Sequence, residues 1–370
     1  MNTELTYAIA LSYLSGVGPV RARKLLALAG SYEACFELPD AAYRQLKLPA
    51  ATLTQLKERG VLSAAERETR FIEQHGIRVV DCLSPDYPQR LSELPDAPLV
   101  LYQRGNGSLA PRRSVAIVGT RKVTAQGRAT CERLVEELSA YGVTILSGLA
   151  YGVDIVAHRA SLRYESPTIG VLAHGLGEIY PAAHRATALE MLEAGAVITE
   201  YPSGMRSRRE FFPQRNRVIA GMADAVIVVE SGEKGGSMIT AKLAGDYYRA
   251  LFAVPGRVTD PMSRGCNALI KTQRAHLIDS AQDVAFHLGW GGTRGAAPEA
   301  SGENAAELPL QSYSPIEKSV VDLLKAEVEM DIDTISHRSS LDSGQLAGAL
   351  LELEFRGVVR ALPGKRYTLS

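Results

Sequence analysis

The chain has 370 residues, enough for two or three domains with sizeable cores. Its 41 basic residues balance 41 acidic ones, so no global field announces a polyanionic partner, and any nucleic-acid site must be a local patch. No apolar run approaches the roughly 20 residues needed to cross a bilayer, and the first residues lack the charged start and cleavage site of a secretory signal. Cys35, Cys82, Cys131 and Cys266 are too far apart for zinc or redox motifs. Four reduced thiols in a cytoplasmic protein without metal or cofactor are therefore expected.

In chain order, residues 1–75 read as a helical domain. Within it, Leu14-Ser15-Gly16-Val17-Gly18-Pro19-Val20 precedes an apolar-periodic helix carrying Arg21, Arg23 and Lys24. Gly-x-Gly at a tight turn with proline at the next helix start fits a helix-hairpin-helix that grips a DNA phosphate, and equally an ordinary interhelical corner. From residue 76 the texture changes. Ile77 to Asp81 reads as a strand, and a proline-marked extended connection leads to Leu99-Val100-Leu101-Tyr102.

A regular alternation then begins. Strands are expected at 115–118, 143–147, 168–172, 196–200, 225–229 and 251–254, with amphipathic helices between them, clearest at 126–141 and 183–194. Such alternation predicts an α/β fold, a Rossmann-like doubly wound parallel sheet over residues 76–290. Ligands of these sheets sit in the loops after the strands. Those loops are glycine-rich: Gly119-Thr120-Arg121-Lys122, Ser147-Gly148-Leu149-Ala150-Tyr151-Gly152-Val153-Asp154, and His174-Gly175-Leu176-Gly177 followed by Tyr180-Pro181. None carries the dinucleotide fingerprint or a Walker lysine, which argues against ordinary NAD or ATP use.

The densest chemistry lies between residues 199 and 242. Five arginines and one acid, Glu210, fall between Arg206 and Arg217, interrupted by Phe211, Phe212 and a proline. Arginine's planar fork suits phosphate, and adjacent aromatics in a polar stretch suit base stacking, with Phe212 the preferred platform. After the strand at 225–229, Gly235-Gly236-Ser237 opens a helix near Met238, a turn whose amides suit an anion. Asp154 and His158 stand four residues apart at a helix start. A cap and a core histidine explain them better than catalysis does.

Residues 291–312 are small, polar and aperiodic, the mark of a linker. Residues 313–370 then offer helices at Pro315–Lys325, from Ile332 and at Leu341–Phe355, with a hairpin turned at 362–365: a winged-helix outline. Nine acids against seven bases in that segment, and a third helix with two glutamates and one terminal arginine, favour protein contact or regulation over DNA reading.

The runs V-A-I-V-G-T-R-K, S-G-L-A-Y-G-V-D-I-V-A-H, F-P-Q-R-N-R-V-I-A-G, G-G-S-M-I-T-A, A-V-P-G and G-C-N-A-L-I occur in this order. Together they resemble the DNA-processing protein A (DprA/Smf) family, most specifically over residues 77–288. The resemblance implies a non-catalytic protein of natural transformation that binds incoming single-stranded DNA, forms a homodimer through its Rossmann-like domain and loads the recombinase RecA, with single-strand-binding protein a further partner. It places the DNA site on Gly119, Thr120, Arg121 and Lys122, on Arg209 and Phe212, on Arg215, Asn216 and Arg217, and on Gly236, Ser237 and Thr240. Thr120, Gly235 and Arg209 depart from the family's usual residues but keep a hydroxyl, a flexible turn and a charge. The alternative is a phosphoribohydrolase-like nucleotide-processing enzyme. Its turn would need a carboxylate about where Lys242 stands, and without one N-glycosidic cleavage lacks an evident acid or base.

Overall fold

The computed structural model describes residues 3–58, 60–290, 313–326, 330–339, 341–356, 358–362 and 366–369. Two compact units divide the chain, Met1–Thr293 and Arg294–Ser370. The expected linker and residues 363–365 of the expected hairpin turn lie outside the described residues.

The first unit is built on a nine-stranded sheet: β1 (Arg78–Asp81), β2 (Val100–Arg104), β3 (Ser114–Val118), β4 (Thr144–Ser147), β5 (Thr168–Val171), β6 (Ala196–Thr199), β7 (Ala225–Val228), β8 (Ala250–Ala253) and β9 (His276–Leu277). Their order is β1-β2-β6-β5-β4-β3-β7-β8-β9. From β6 through β9 every pairing is parallel. The expected parallel sheet is thus present, extended at one edge by two strands that sequence alternation does not orient: β2 runs antiparallel to β6, and β1 antiparallel to β2.

The central strands are buried throughout and mostly apolar because both faces are covered. Val115, Ile117, Ile145, Ala225 and Ile227 point to one core, packed by the helices Ala125–Ser139 and Val153–Arg163. Ala116, Val118, Leu146, Val226 and Val228 point to the other, against Phe211–Met222 and Gly236–Asp246. The helix expected over 183–194 is shorter, a 3-10 turn Ala182–His184 running into Arg185–Glu190.

The N-terminal segment is helical as expected. Its helices share a core with the sheet, with Ala8, Leu11 and Leu25 beside Val100, Tyr102 and Val197. The Gly16 turn is tied inside the protein: the Ser15 carbonyl accepts from Thr52 Oγ1, and the Ser15 amide donates to Gln55 (2.9 Å). Arg23 donates to the carbonyls of Leu94 (3.1 Å) and Ser92 (2.9 Å). Arg23 is thus docked on neighbouring backbone, while Arg21 stays exposed and donates to the Gly16 carbonyl (2.8 Å).

The second unit holds the helices Pro315–Ala326, Ile332–Ser339 and Ser343–Phe355. A three-stranded antiparallel sheet of β10 (Met330–Asp331), β12 (Arg366–Leu369) and β11 (Val359–Leu362) completes the winged-helix outline. Val320, Leu324, Ile335, Leu346, Leu350 and Leu353 form its core.

Candidate nucleic-acid interface

Connectivity dictates where the site lies. From β3 the chain steps outward through β4, β5 and β6, then returns to place β7 on the other side of β3. The loops after β3 and β7 therefore diverge at a switch point, the place where doubly wound sheets open a crevice. A cavity of about 500 Å³ occupies it, lined by Gly119, Thr120, Arg121, Phe212, Arg215, Asn216, Lys234, Gly235, Gly236, Ser237, Thr240 and Met262 among others. That volume suits a nucleotide-sized ligand.

Glycines let the loops close together. Gly152 has φ +82°, and a Cβ there would lie 2.0 Å from the Thr120 carbonyl oxygen. A Cβ on Gly236 would meet nothing within 4 Å, so this turn presents bare backbone to the cavity. The helix Gly236–Asp246 begins there; the Met238 amide already donates to the Gly235 carbonyl (3.1 Å), while the amides of Gly236 and Ser237 come before its ladder starts. Ser237 and Thr240 are buried behind it, with the Ser237 hydroxyl donating to Ser231 (2.8 Å). Asn216 spans the gap, donating to the Gly236 carbonyl (3.4 Å) and accepting from Arg215 Nε (3.1 Å).

The arginines separate into two kinds. Arg121 is exposed, with its guanidinium carbon 5.1 Å from the centre of the Phe212 ring. Arg215 is only 4% exposed. Its Nη1 donates to the carbonyls of Gly148 and Val171, joining the ends of β4 and β5 to the helix Phe211–Met222. Burial lowers its pKa to about 10, opposed by the charge of Asp154, so it stays a cation at neutral pH. Asp154 is pushed up by burial and held down by Arg215 and by the amides of Gly148 (3.2 Å) and Ala150 (3.4 Å). Arg215 at the Gly148 carbonyl and Asp154 at the Gly148 and Ala150 amides each fasten the loop after β4.

Arg217 faces the opposite side of its helix from the cavity. It pairs with Glu200 and donates to the Asp96 carbonyl (2.5 Å), and its side chain is 11% exposed. Arg209 and Lys122 are exposed but outside the cavity lining. Of the twelve residues expected at the site, nine line the cavity: Gly119, Thr120, Arg121, Phe212, Arg215, Asn216, Gly236, Ser237 and Thr240. The guanidinium groups of Arg215 and Arg217 are both bound to internal acceptors.

Asp154 and His158 have structural roles, as expected, although the helix cap itself is Gly152. Asp154 holds the preceding loop, and His158 is fully buried with Nδ1 2.7 Å from Thr168 Oγ1. Among the described residues no group of three or more metal-ligating side chains is assembled. No helix is long and apolar enough to cross a membrane among them.

Residues 78–289 match the family model described as DNA recombination-mediator protein A, and residues 304–365 match the DprA winged helix domain. The chain belongs to the DNA recombination-mediator protein A family. Protein Smf of Synechocystis sp. is 30% identical over 99% of this chain and 99% of its own length. The DNA processing protein DprA of Bacillus subtilis is 39% identical over 57% of this chain and 71% of its own. Among solved structures, DprA of Streptococcus pneumoniae superposes with a TM-score of 0.68 at 32% identity, covering 76% of this chain and 97% of that one. A structure of DprA from Helicobacter pylori, reported for its single-stranded DNA binding mode, gives 0.52 at 31% identity over 57% of this chain and 95% of its own.

Sequence reasoning missed Lys234 and Met262, both in the lining of this family member's cavity. Lys234 immediately precedes the Gly235-Gly236-Ser237 turn, which is the signal that points to it. Met262 comes from the loop after β8, and its sulfur accepts from Thr120 Oγ1 (3.7 Å), a contact no local pattern announces.

Proposed function

We propose that this chain is a recombination mediator that binds single-stranded DNA in the switch-point cavity without reading sequence. One observation carries the proposal: the cavity joins bare helix-start amides at Gly236 and Ser237 to the exposed cations Arg121 and Lys234, with the Phe212 ring in the same wall. Amides and cations suit phosphate oxygens, and a ring suits an unpaired base. A base replacing the Arg121 guanidinium over the ring leaves Arg121 free to reach the flanking phosphate. Arg209 and Lys122, exposed outside the lining, extend the basic path, while Arg215, Asn216 and Arg217 hold its walls.

Binding without catalysis fits the lining. Its acid, Asp154, is committed to Arg215 and two backbone amides. In this proposal residues 76–290 carry the strand, dimerise and hand it to RecA during natural transformation in the cytoplasm, with single-strand-binding protein a further partner. Residues 313–370 serve protein contact or regulation. The family relationship and the single-strand binding described for the Helicobacter pylori relative support this assignment. The test is fluorescence anisotropy with a labelled single-stranded oligonucleotide. Arg121→Ala combined with Arg209→Ala should weaken binding and flatten its salt dependence; unchanged affinity at moderate salt would place the site elsewhere.

A further inference from the structure

Beyond Phe212, two more aromatic rings stand beside the cavity. Tyr151 lies in the loop after β4 and Tyr180 in the loop after β5, and each is 50% exposed. The Tyr180 ring meets Phe212 edge-to-face, with centroids 6.5 Å apart and planes inclined by 63°. A cleft of about 30 Å³ bounded by both tyrosines shares Arg121 and Phe212 with the main cavity. It is too small to swallow a base, so a base would lie against the exposed ring faces.

Buried histidines hold both tyrosines. The Tyr180 amide donates to His174 Nε2 (3.2 Å), which leaves the ring proton on Nδ1, donating to the Gly175 carbonyl (2.8 Å). Beneath the other tyrosine, His184 Nδ1 lies 2.7 Å from the Leu149 carbonyl, and the Tyr151 ring packs edge-on against its imidazole with centroids 4.7 Å apart. Both tyrosines thus border one cleft beside the phosphate-compatible cavity, with the Tyr180 backbone and the Tyr151 ring each held by a buried histidine.

We infer that Tyr151 and Tyr180 are a second stacking subsite, taking the unpaired bases that follow the one on Phe212. The inference rests on the single-strand reading of the cavity and deepens it. It also supplies a physical basis for strand discrimination. Bases lying on Phe212 and Tyr180 would be inclined to each other by the angle between the rings. A flexible single strand can follow that turn, whereas the parallel stack of an intact duplex cannot. His174 and His184 are positioning residues for this wall.

Two measurements test it. In the first, the full chain carrying both Tyr151→Ala and Tyr180→Ala binds an oligothymidylate at least about thirtyfold more weakly, since two stacked bases are lost. The salt slope stays that of the wild type, because no phosphate contact is removed. Restoring the rings as Tyr151→Phe and Tyr180→Phe restores affinity. Affinity within twofold of wild type for the alanine pair, while Phe212→Ala weakens binding, overturns the subsite and leaves the cavity reading standing. Indifference to Phe212→Ala and Arg121→Ala as well overturns both. The second needs no variant: irradiating the wild-type protein with a 5-iodouracil oligonucleotide should crosslink Tyr151 or Tyr180 in addition to Phe212. Crosslinks at Phe212 with none at either tyrosine refute the inference.

Discussion

Replacing Arg215 separates the two jobs that an arginine beside a DNA cavity can do. In Arg215→Met the aliphatic stem is kept and the guanidinium is lost. The Gly148 and Val171 carbonyls then lose their shared donor, at about 1–3 kcal/mol for each buried group left unsatisfied. Asp154 also loses the nearby positive charge that holds its carboxyl down against burial, although no ion pair closes between the two side chains. These contributions overlap because one group supplies all of them, so a total destabilisation of about 2–4 kcal/mol is expected, set by the two carbonyls. The protein's single tryptophan, Trp290, packs against the core of the sheet unit, so its fluorescence during urea unfolding reports on that unit. Arg121→Met is the control: an exposed residue whose loss should change stability by no more than about 0.5 kcal/mol while weakening DNA binding. If Arg215→Met unfolded within 1 kcal/mol of wild type (about the smallest cost of one unsatisfied carbonyl) yet lowered the salt slope as Arg121→Met does, Arg215 would be a phosphate ligand. The internal role assigned to it would then be wrong.

Arg217→Ala strands Glu200 in a buried site, where burial already pushes that carboxyl up and Arg217 draws it back down. A loss of about 3–5 kcal/mol is expected in the same urea titration, against little change if the pair is dispensable. Phe212→Ala should cost about 1–3 kcal/mol of single-strand affinity by anisotropy and leave the salt slope alone; a changed slope would mean that the ring acts by positioning Arg121. Burial lowers the His158 pKa to about 3, with Arg215 and His184 adding to the shift. The unfolded chain therefore binds a proton below its ordinary value of 6.5 that the folded chain refuses, and stability falls as pH drops from 6.5 toward 3. Relative to His158→Gln, wild type should lose about 1.4 kcal/mol more for each pH unit in that window, and parallel stability–pH curves would contradict this.

Local signals carried most of the fold. The six strand segments from residue 115 onward are short β-branched runs buried on both faces, and each lies within one or two residues of its expected place. β1 was visible as a strand and β2 only as the apolar end of an extended connection, and nothing local could set the direction of β2, because that comes from pairing with β6 nearly a hundred residues later. The N-terminal helices were equally plain, whereas their shared core with β2 depends on contacts distant in sequence.

At the site, turn chemistry was legible and side-chain direction was not. Gly119-Thr120-Arg121 and Gly235-Gly236-Ser237 declared themselves as bare turns after strands. The arginine run declared charge without saying which cations face solvent. Helical periodicity held part of the answer: Arg215 falls on one stripe with the buried Val218, Ile219 and Met222, which marks it as inward-facing. Arg217 lies off that stripe, and its burial against Glu200 and Asp96 comes from segments that sequence spacing does not bring near it.

The central claim is that the cavity receives unpaired DNA. The most direct measurement is competition by unlabelled single-stranded and duplex oligonucleotides of one sequence against a labelled single strand on the full-length chain, with and without Phe212→Ala. Single strands should compete at lower concentration than duplex, and Phe212→Ala should narrow the gap by weakening single strands alone. Equal or stronger competition by duplex, or a gap indifferent to Phe212→Ala, would contradict the account.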